Sequence, residues 1–474
     1  MGSQKNSHVV VGGGISGLLA ALMLAESKCA QPVYLVERES DIGGLLRCFD
    51  YGEFGRFDYG MHNMYETGVP ALDDLLLGIL PDSEWQYLKG NQRDLAGLFF
   101  NGRLQLNSLY MDLRSLPSAD YERCLGGFFA NLGVDRDCAP VNAKEFADWR
   151  FGRPIADAAV IPAIQKIFKR DAAEMDTMAA MLTSLDRVIM FDEPRMRDLM
   201  SSQLIGSRIA YTEQRNLPAE RSSGRMGYYP KKYGMYRVID ALRKRLLAAG
   251  VQILTNAKVT RVGRNGSGIS SVDISLENQT QTIEGIAALH WTAGIPALAP
   301  LLDIPLKGMV FDRPLQTVAV NLVLGDEPDM GDLYYFYCYD QGYDTFRVTH
   351  FSAYCDGARR AGGTPICVEL LVEPPPAGMQ PDYVAQALKE LEHFGVISPR
   401  TRPLFAGAEP LAYGFPMPSL RNIGGLGALR DRITELDLSN LQLLGILAEP
   451  RLFFQKDVVA HTHAKISALM GQTR

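Results

Sequence analysis

The stretch HVVVGGGISGLLAALMLAESKCAQPVYLVE, residues 8–37, decides the fold. Its apolar start at 9–11 predicts a strand that runs directly into Gly12, Gly14 and Gly17, spaced G-x-G-x-x-G. Ile15, Leu18, Leu19, Leu22 and Met23 then recur at helical spacing, so one helix face is expected to pack on a sheet. A second strand over 33–36 stops at Glu37, 20 residues after Gly17. Glycines alone would make an ordinary strand-to-helix turn. Strand, glycine turn, helix, second strand and terminal acid together read as a dinucleotide-binding β-α-β unit.

Each part has a mechanical reason. Gly12 permits the tight turn, Gly14 lets a diphosphate approach the backbone without meeting a Cβ, and Gly17 lets the helix lie close to the strand. The first helical turn, with Ile15 and Ser16, then offers its amides and positive end to the anion. Glu37 is placed to accept hydrogen bonds from ribose hydroxyls, which disfavours a 2′-phosphate there.

The segment after Glu37 and Arg38 indicates which dinucleotide. Ile42-Gly43-Gly44-Leu45-Leu46-Arg47 is followed by Phe57-Asp58-Tyr59-Gly60-Met61-His62. A second glycine pair just past the acid lets the chain run along the far end of the cofactor, where a nicotinamide enzyme would continue into its next crossover. G-G-L-x-R followed by D-x-G-x-H resembles the flavoproteins that include amine oxidases, protoporphyrinogen oxidases and UDP-galactopyranose mutases. The resemblance implies FAD rather than NAD, with Gly43, Gly44, Leu45, Gly60, Met61 and His62 added to the cofactor contacts. His62 stands where the resemblance places a histidine over the flavin. There it would shuttle a proton or polarise a carbonyl, or else be a satisfied structural histidine.

Length and composition agree. A chain of 474 residues is about three times the usual domain size, so two or more compact units are expected. With 47% hydrophobic and 22% charged residues it can bury a sizeable core. A net charge of −6 gives no electrostatic reason to expect nucleic acid. Seven cysteines lack C-x-x-C spacing, which suits a reducing compartment and buried free thiols. The first strand begins almost at the N-terminus, Asn6 stands where a myristoylation signal wants Ser or Thr, and no apolar run reaches the ~18 to 20 residues that span a bilayer. The expectation is a soluble, cytoplasmic protein.

The remaining pattern predicts a cofactor domain built from separated pieces, 1–67, 221–305 and 431–474. A helix is expected over 236–249, ended by Gly250, then strands over 251–254 and 257–262. Alternation over 271–276 and the run 287–292 predict the hairpin and strand that follow. The resemblance has Val259 touch the adenine by its backbone. It also places a strand at 441–447, then Asp457-Val458, then a helix at about 459–470 closing over the flavin. Two insertions, 68–220 and 306–430, would form an α+β substrate domain. The first is helix-rich by pattern, with Phe146, Ile155, Ile164 and Ile167 among its apolar positions. The second carries strands at 316–324, 334–339, 346–351 and 366–372. The fold class is therefore α/β, an interrupted Rossmann-type FAD-binding domain with an inserted α+β domain.

Within the insertions the likeness narrows toward UDP-galactopyranose mutases. Arg347-Val348-Thr349-His350-Phe351-Ser352-Ala353-Tyr354 is similar to their R-x-T-x-F-S-N-Y, and Tyr413-Gly414-Phe415-Pro416-Met417-Pro418 to their G-Y-P-x-P. This makes Arg347 a candidate catalytic and substrate-binding residue, with Tyr354 and Tyr413 as hydroxyl donors. Two departures stand out. The mutases carry an arginine beside the flavin where this chain has Leu444-Gly445-Ile446-Leu447, and their P-Y-N-x-K-x-W is here Pro162-Ala163-Ile164-Gln165-Lys166-Ile167-Phe168. Loss of the arginine removes a charge-assisted contact worth about 2 to 3 kcal/mol.

An arginine mid-strand among aromatics must either pair internally or meet an anionic ligand. Arg225, Lys231 and Lys232 read as a solvated rim, and His461 and His463, two apart on a helix, diverge and make a poor metal pair. With no H-E-x-x-H, G-x-S-x-G, P-loop or zinc spacing, no metal is expected. The sequence thus points to an FAD-dependent oxidoreductase transferring hydride at flavin N5 and acting on a sugar-like or nucleotide-sugar-like substrate, a small anionic or sugar-like molecule. The alternatives are a non-redox pyranose mutase acting with reduced FAD and a non-catalytic flavin-binding partner protein.

Overall fold

Strands far apart in the chain are drawn into one five-stranded parallel sheet, in the order Gln252–Leu254, Val33–Val36, Ser7–Val11, Ile286–Trp291 and Leu441–Leu443. The computed structural model describes residues 6–27, 31–88, 95–134, 138–218, 221, 225–277, 279–360, 362–411 and 414–472. Val9, Val10, Leu35 and Leu289 at the sheet's centre have no exposed surface. Parallel strands covered on both faces need such near-continuous apolar runs.

The helix Ile15–Ala25 was expected to bury one face. It buries every residue from Ser16 to Leu24. It is wedged between the sheet and two further helices, Tyr236–Ala248 and Gln455–Gln472. An all-round apolar helix needs such all-round cover. Ala257–Asn265, Gly268–Leu276 and Gln279–Glu284 form an antiparallel meander, whose inward Val259, Val262, Ile269, Val272 and Ile274 join the core beside Leu289 and Leu298.

The second large element is a seven-stranded sheet: Phe405–Pro410, Gln316–Leu324, Thr364–Val372, Thr345–His350, Tyr335–Cys338, Ala96–Phe100 and Arg103–Gln105. Its two-residue alternation assigns the faces. Val318, Val320, Leu322, Val348, Val368 and Leu370 pack with Ala387 and Leu391 of the helix Tyr383–His393. Asn321, Arg347, Thr349, Cys367 and Glu369 therefore point the other way, toward the segment that carries Tyr51 and Gly60.

Several expectations need correction. The segment 68–220 contributes two strands, Ala96–Phe100 and Arg103–Gln105, to the sheet of the other insertion, the former parallel to Tyr335–Cys338. The last strand stops at Leu443 because Gly445 and Leu447 turn left-handed, at φ 86° and 57°. The closing helix starts at Gln455, so Asp457 and Val458 lie within its first turn rather than before it. Of the described cysteines all are free, but Cys138 is exposed and Cys48 half-buried, so burial does not hold for every thiol. Among the described residues no helix is long and apolar enough to cross a membrane.

One buried pair gives the sheet a pH dependence. His290, with no exposed surface, lies 3.2 Å from His8 of the adjoining strand, nitrogen to nitrogen. Burial, helped by the His8 charge, lowers the His290 pKa to about 3. The unfolded chain takes up a proton below about 6.5 that the folded chain refuses, so this residue's stability contribution is full above 6.5 and drains as pH falls toward 3. Between pH 6.5 and pH 5 the loss is roughly 2 kcal/mol at ~1.36 kcal/mol per unit. Urea denaturation at the two pH values is expected to show a steeper decline for the unaltered chain than for His290→Gln; parallel declines would contradict it.

Candidate functional site

The glycine turn has the geometry of a cradle. Gly12 adopts φ 104°, and a Cβ there would lie 2.4 Å from the Thr292 hydroxyl. A Cβ on Gly17 would sit 1.9 Å from the Gly12 carbonyl oxygen, closer than any side chain can approach. Gly14 differs. Its backbone is extended and nothing lies within 4 Å of where its Cβ would be. The helix Ile15–Ala25 starts from Gly14 without a side-chain cap and with no acid in its first turn. Two glycines thus close the turn and the middle one leaves open ground before a helix N-terminus, the arrangement that receives a diphosphate. Ile15 is half-buried in that turn. The Ser16 hydroxyl is 2.8 Å from the Thr462 hydroxyl, so it ties the closing helix to the turn and only the Ser16 backbone can serve an anion.

Glu37 is buried and held at both oxygens. Its Oε2 accepts from the Gly13 amide at 2.6 Å and its Oε1 from the Glu39 amide at 2.8 Å. Each carboxylate oxygen keeps a further lone pair for a ribose hydroxyl. Arg38 beside it is exposed and pairs with Glu39 at 3.2 Å. The Gly43 amide donates to Gly13 O at 2.7 Å, and a Cβ on Gly44 would lie 3.2 Å from Gly14 Cα. The second glycine pair is therefore stacked on the first, with Leu45 exposed beside it. The Ala257 amide donates to the Glu37 carbonyl, which hangs the strand bearing Val259 from the same point. Asp457 is exposed and Val458 is buried.

Asp58 fastens the next segment. One per cent exposed, it accepts from the Tyr229 hydroxyl at 2.7 Å and from the Met235 amide at 3.0 and 3.1 Å. Burial outweighs these donors and pushes its carboxyl up to about 7. Two residues on, Gly60 takes φ 85°, and a Cβ there would lie 2.6 Å from the Glu369 carboxylate. Met61 is buried, and the Nδ1 of His62 is buried with no hydrogen-bond partner. Burial and then the Arg347 charge lower the His62 pKa to about 4, against a backbone contact with Gly60. The ring is neutral at neutral pH.

Arg347 resolves toward internal pairing. It stands directly opposite Glu369 across two antiparallel strands, and its Nε and Nη2 grip that carboxylate at 2.5 and 2.9 Å. Tyr335 and Tyr337 flank the guanidinium at 5.8 and 6.0 Å. As an anion clamp it is corrected: the charge is already neutralised, and what the pair offers a ligand is a nearly neutral polar surface. Beyond it the Thr349, Ser352 and Tyr354 hydroxyls are buried without partners. Tyr354 is 3% exposed, so it is an interior group rather than a surface donor. Tyr413 lies outside the described residues. Among the described residues no cluster could hold a metal ion.

Glu369 and Asp58 are the site residues that sequence reading left without a role. An acid inside ICVELLV, residues 366–372, was the available signal, because a charge in an otherwise apolar buried strand needs a partner.

Residues 10–76 match a family model described as an NAD(P)-binding Rossmann-like domain. Protoporphyrinogen oxidase of Bos taurus is 26% identical over 326 residues, 65% of this chain and 64% of the relative; that of Homo sapiens is 27% identical over the same spans. The match thus spans somewhat under two thirds of the length of these relatives. Among solved structures, reduced UDP-galactopyranose mutase aligns with a TM-score of 0.75, covering 98% of this chain and 94% of the other at 17% identity, a likeness of fold. The dinucleotide-binding unit is therefore present.

Two outcomes test the site. Gly14→Ala is expected to change stability by no more than about 1 kcal/mol yet weaken FAD retention sharply, whereas Gly17→Ala should destabilise the fold itself; equal effects in thermal unfolding would contradict the assignment. Arg347→Ala strands a buried carboxylate and should cost about 3 to 5 kcal/mol. Full stability with lost ligand binding would instead return Arg347 to the role of an anion clamp.

Proposed function

We propose that this member of the FAD amine oxidase-like superfamily is an oxidoreductase acting on a neutral, hydroxyl-bearing substrate of sugar-like polarity. FAD, when bound, supplies a hydride acceptor or donor at N5. The residues that would hold it are the turn 12–17, Glu37, the pair Gly43 and Gly44, and the segment 60–62.

The observation that carries the reading is His62, half-buried and unprotonated at neutral pH, close to an Arg347 whose charge is already neutralised by Glu369. A neutral imidazole at His62 can accept a proton from a substrate hydroxyl as hydride leaves carbon. The Arg347–Glu369 pair would hold their strands in register without attracting an anion.

A second reading, a ring-isomerising mutase without net electron transfer, is favoured by the fold likeness to UDP-galactopyranose mutase. It needs a cationic clamp for a diphosphate leaving group, and the internal pairing of Arg347 weighs against that. The oxidoreductase reading agrees with the likeness to protoporphyrinogen oxidase.

Anaerobic mixing with a panel of polyols, sugars and nucleotide sugars separates the two. Bleaching of the visible flavin absorbance by substrate is expected, with His62→Asn slowing it by about 10²-fold or more. Because His62 stays unprotonated down to about pH 4, kcat/KM should show no acid limb from this residue above that value. Turnover seen only after chemical pre-reduction, with no net electron transfer, would overturn the oxidoreductase in favour of the mutase.

A further inference from the structure

A second pocket, of about 530 Å³, opens where the hairpin of Cys48–Asp50 and Arg56–Asp58 meets the start of the helix Tyr236–Ala248. Asp50, Arg56, Lys232, Tyr236, Arg237 and Arg360 line it, with Tyr233 and three glycines. It shares no lining residue with the glycine turn, Glu37, Gly43, Gly44 or the segment 60–62.

Its charge is unbalanced. Asp50 is the single acid of the lining and already pairs with Arg56 at 3.1 Å. Among the described residues Lys232, Arg237 and Arg360 have no carboxylate within ion-pair distance. Arg237 is fixed by its backbone contacts, Nε donating to the Lys232 and Tyr233 carbonyls. Arg360 is fixed by stacking, 4.3 Å over the Tyr233 ring and 5.2 Å over Phe57. The Tyr236 ring lies between Arg56, at 4.9 Å, and Arg237, at 5.4 Å.

Cations held in place by aromatic faces and backbone carbonyls, rather than by carboxylates, are preorganised for an anion. The positive end of the adjoining helix adds to the same field. Three cations without ion-pair partners match a dianion better than a carboxylate. The volume falls within the range of small-molecule sites, about 300 to 1,000 Å³.

We propose that this pocket is a second ligand site that binds the phosphate group of a small phosphorylated molecule through Lys232, Arg237 and Arg360. The site is independent of the substrate reading above. It is built from the first hairpin after the dinucleotide turn, so its occupant would brace the segment that carries Asp58 and leads to His62.

The test uses the full-length, FAD-loaded protein, titrated calorimetrically with inorganic phosphate and with glycerol 3-phosphate at matched ionic strength, chloride serving as the control. Saturable binding of either phosphate is expected, at least 10-fold weaker in Lys232→Glu and in Arg237→Gln, with flavin absorbance and thermal midpoint retained. Tighter binding of glycerol 3-phosphate would identify an organic ester as the occupant, and tighter binding of phosphate a free anion. Lys232 is exposed, so its variant reports on binding even if Arg237→Gln unfolds. No saturable binding of either probe, or affinity unchanged in Lys232→Glu, would overturn the proposal.

Discussion

The approach of the helix Ile15–Ala25 to the strand Ser7–Val11 at Gly17 is the constraint on which everything else rests. With 1.9 Å between the Gly12 carbonyl oxygen and the place of a Gly17 Cβ, no other residue lets the helix start there. That contact sets the turn, the turn leaves Gly14 facing open ground, and the Glu37 carboxylate is locked to the Gly13 amide inside it. From Glu37 the architecture spreads outward. Its carbonyl starts the strand Ala257–Asn265, and its side chain fixes the loop that leads to Gly43 and Gly44. Segments hundreds of residues apart converge on this corner because each docks on a backbone group that the close approach has positioned.

A second fixed point lies across the site. The Arg347–Glu369 pair, directly opposed on neighbouring strands and hydrogen-bonded at both ends, carries little net charge. It lies against Gly60, which must lack a side chain because the Glu369 carboxylate fills that space. The seven-stranded sheet and the cofactor unit are thereby joined by a polar contact that tolerates almost no change in size. Asp58, two residues earlier, makes the complementary attachment to Tyr229 and Met235. A buried ion pair and a buried carboxyl add less to stability than to uniqueness of geometry.

Much of this was legible in the chain because local chemistry dictates it. The glycine spacing, the terminal acid at Glu37 and the apolar periodicity after Gly14 each follow from one stretch of backbone, and the strands Gln316–Leu324 and Thr364–Val372 announce themselves by composition. What could not be read depends on tertiary neighbours. Nothing near Ala96–Phe100 says that it pairs in parallel with a strand more than 200 residues away. Arg347 looked like a candidate anion clamp because its partner lies on another strand, and register alone brings Glu369 opposite it. The premature end of Leu441–Leu443 comes from left-handed turns at Gly445 and Leu447, the latter at a residue type that gives no warning of it.

The central claim is that the turn at Gly12, Gly14 and Gly17 presents its amides to the diphosphate of FAD. The most direct measurement is the visible spectrum of the purified protein, followed by heat release and mass identification of the freed small molecule. A yellow protein that releases one equivalent of FAD is expected, and a Gly14→Ala variant that is folded but colourless. A colourless unaltered protein that fails to take up added FAD, or one that releases a nicotinamide dinucleotide, would contradict it.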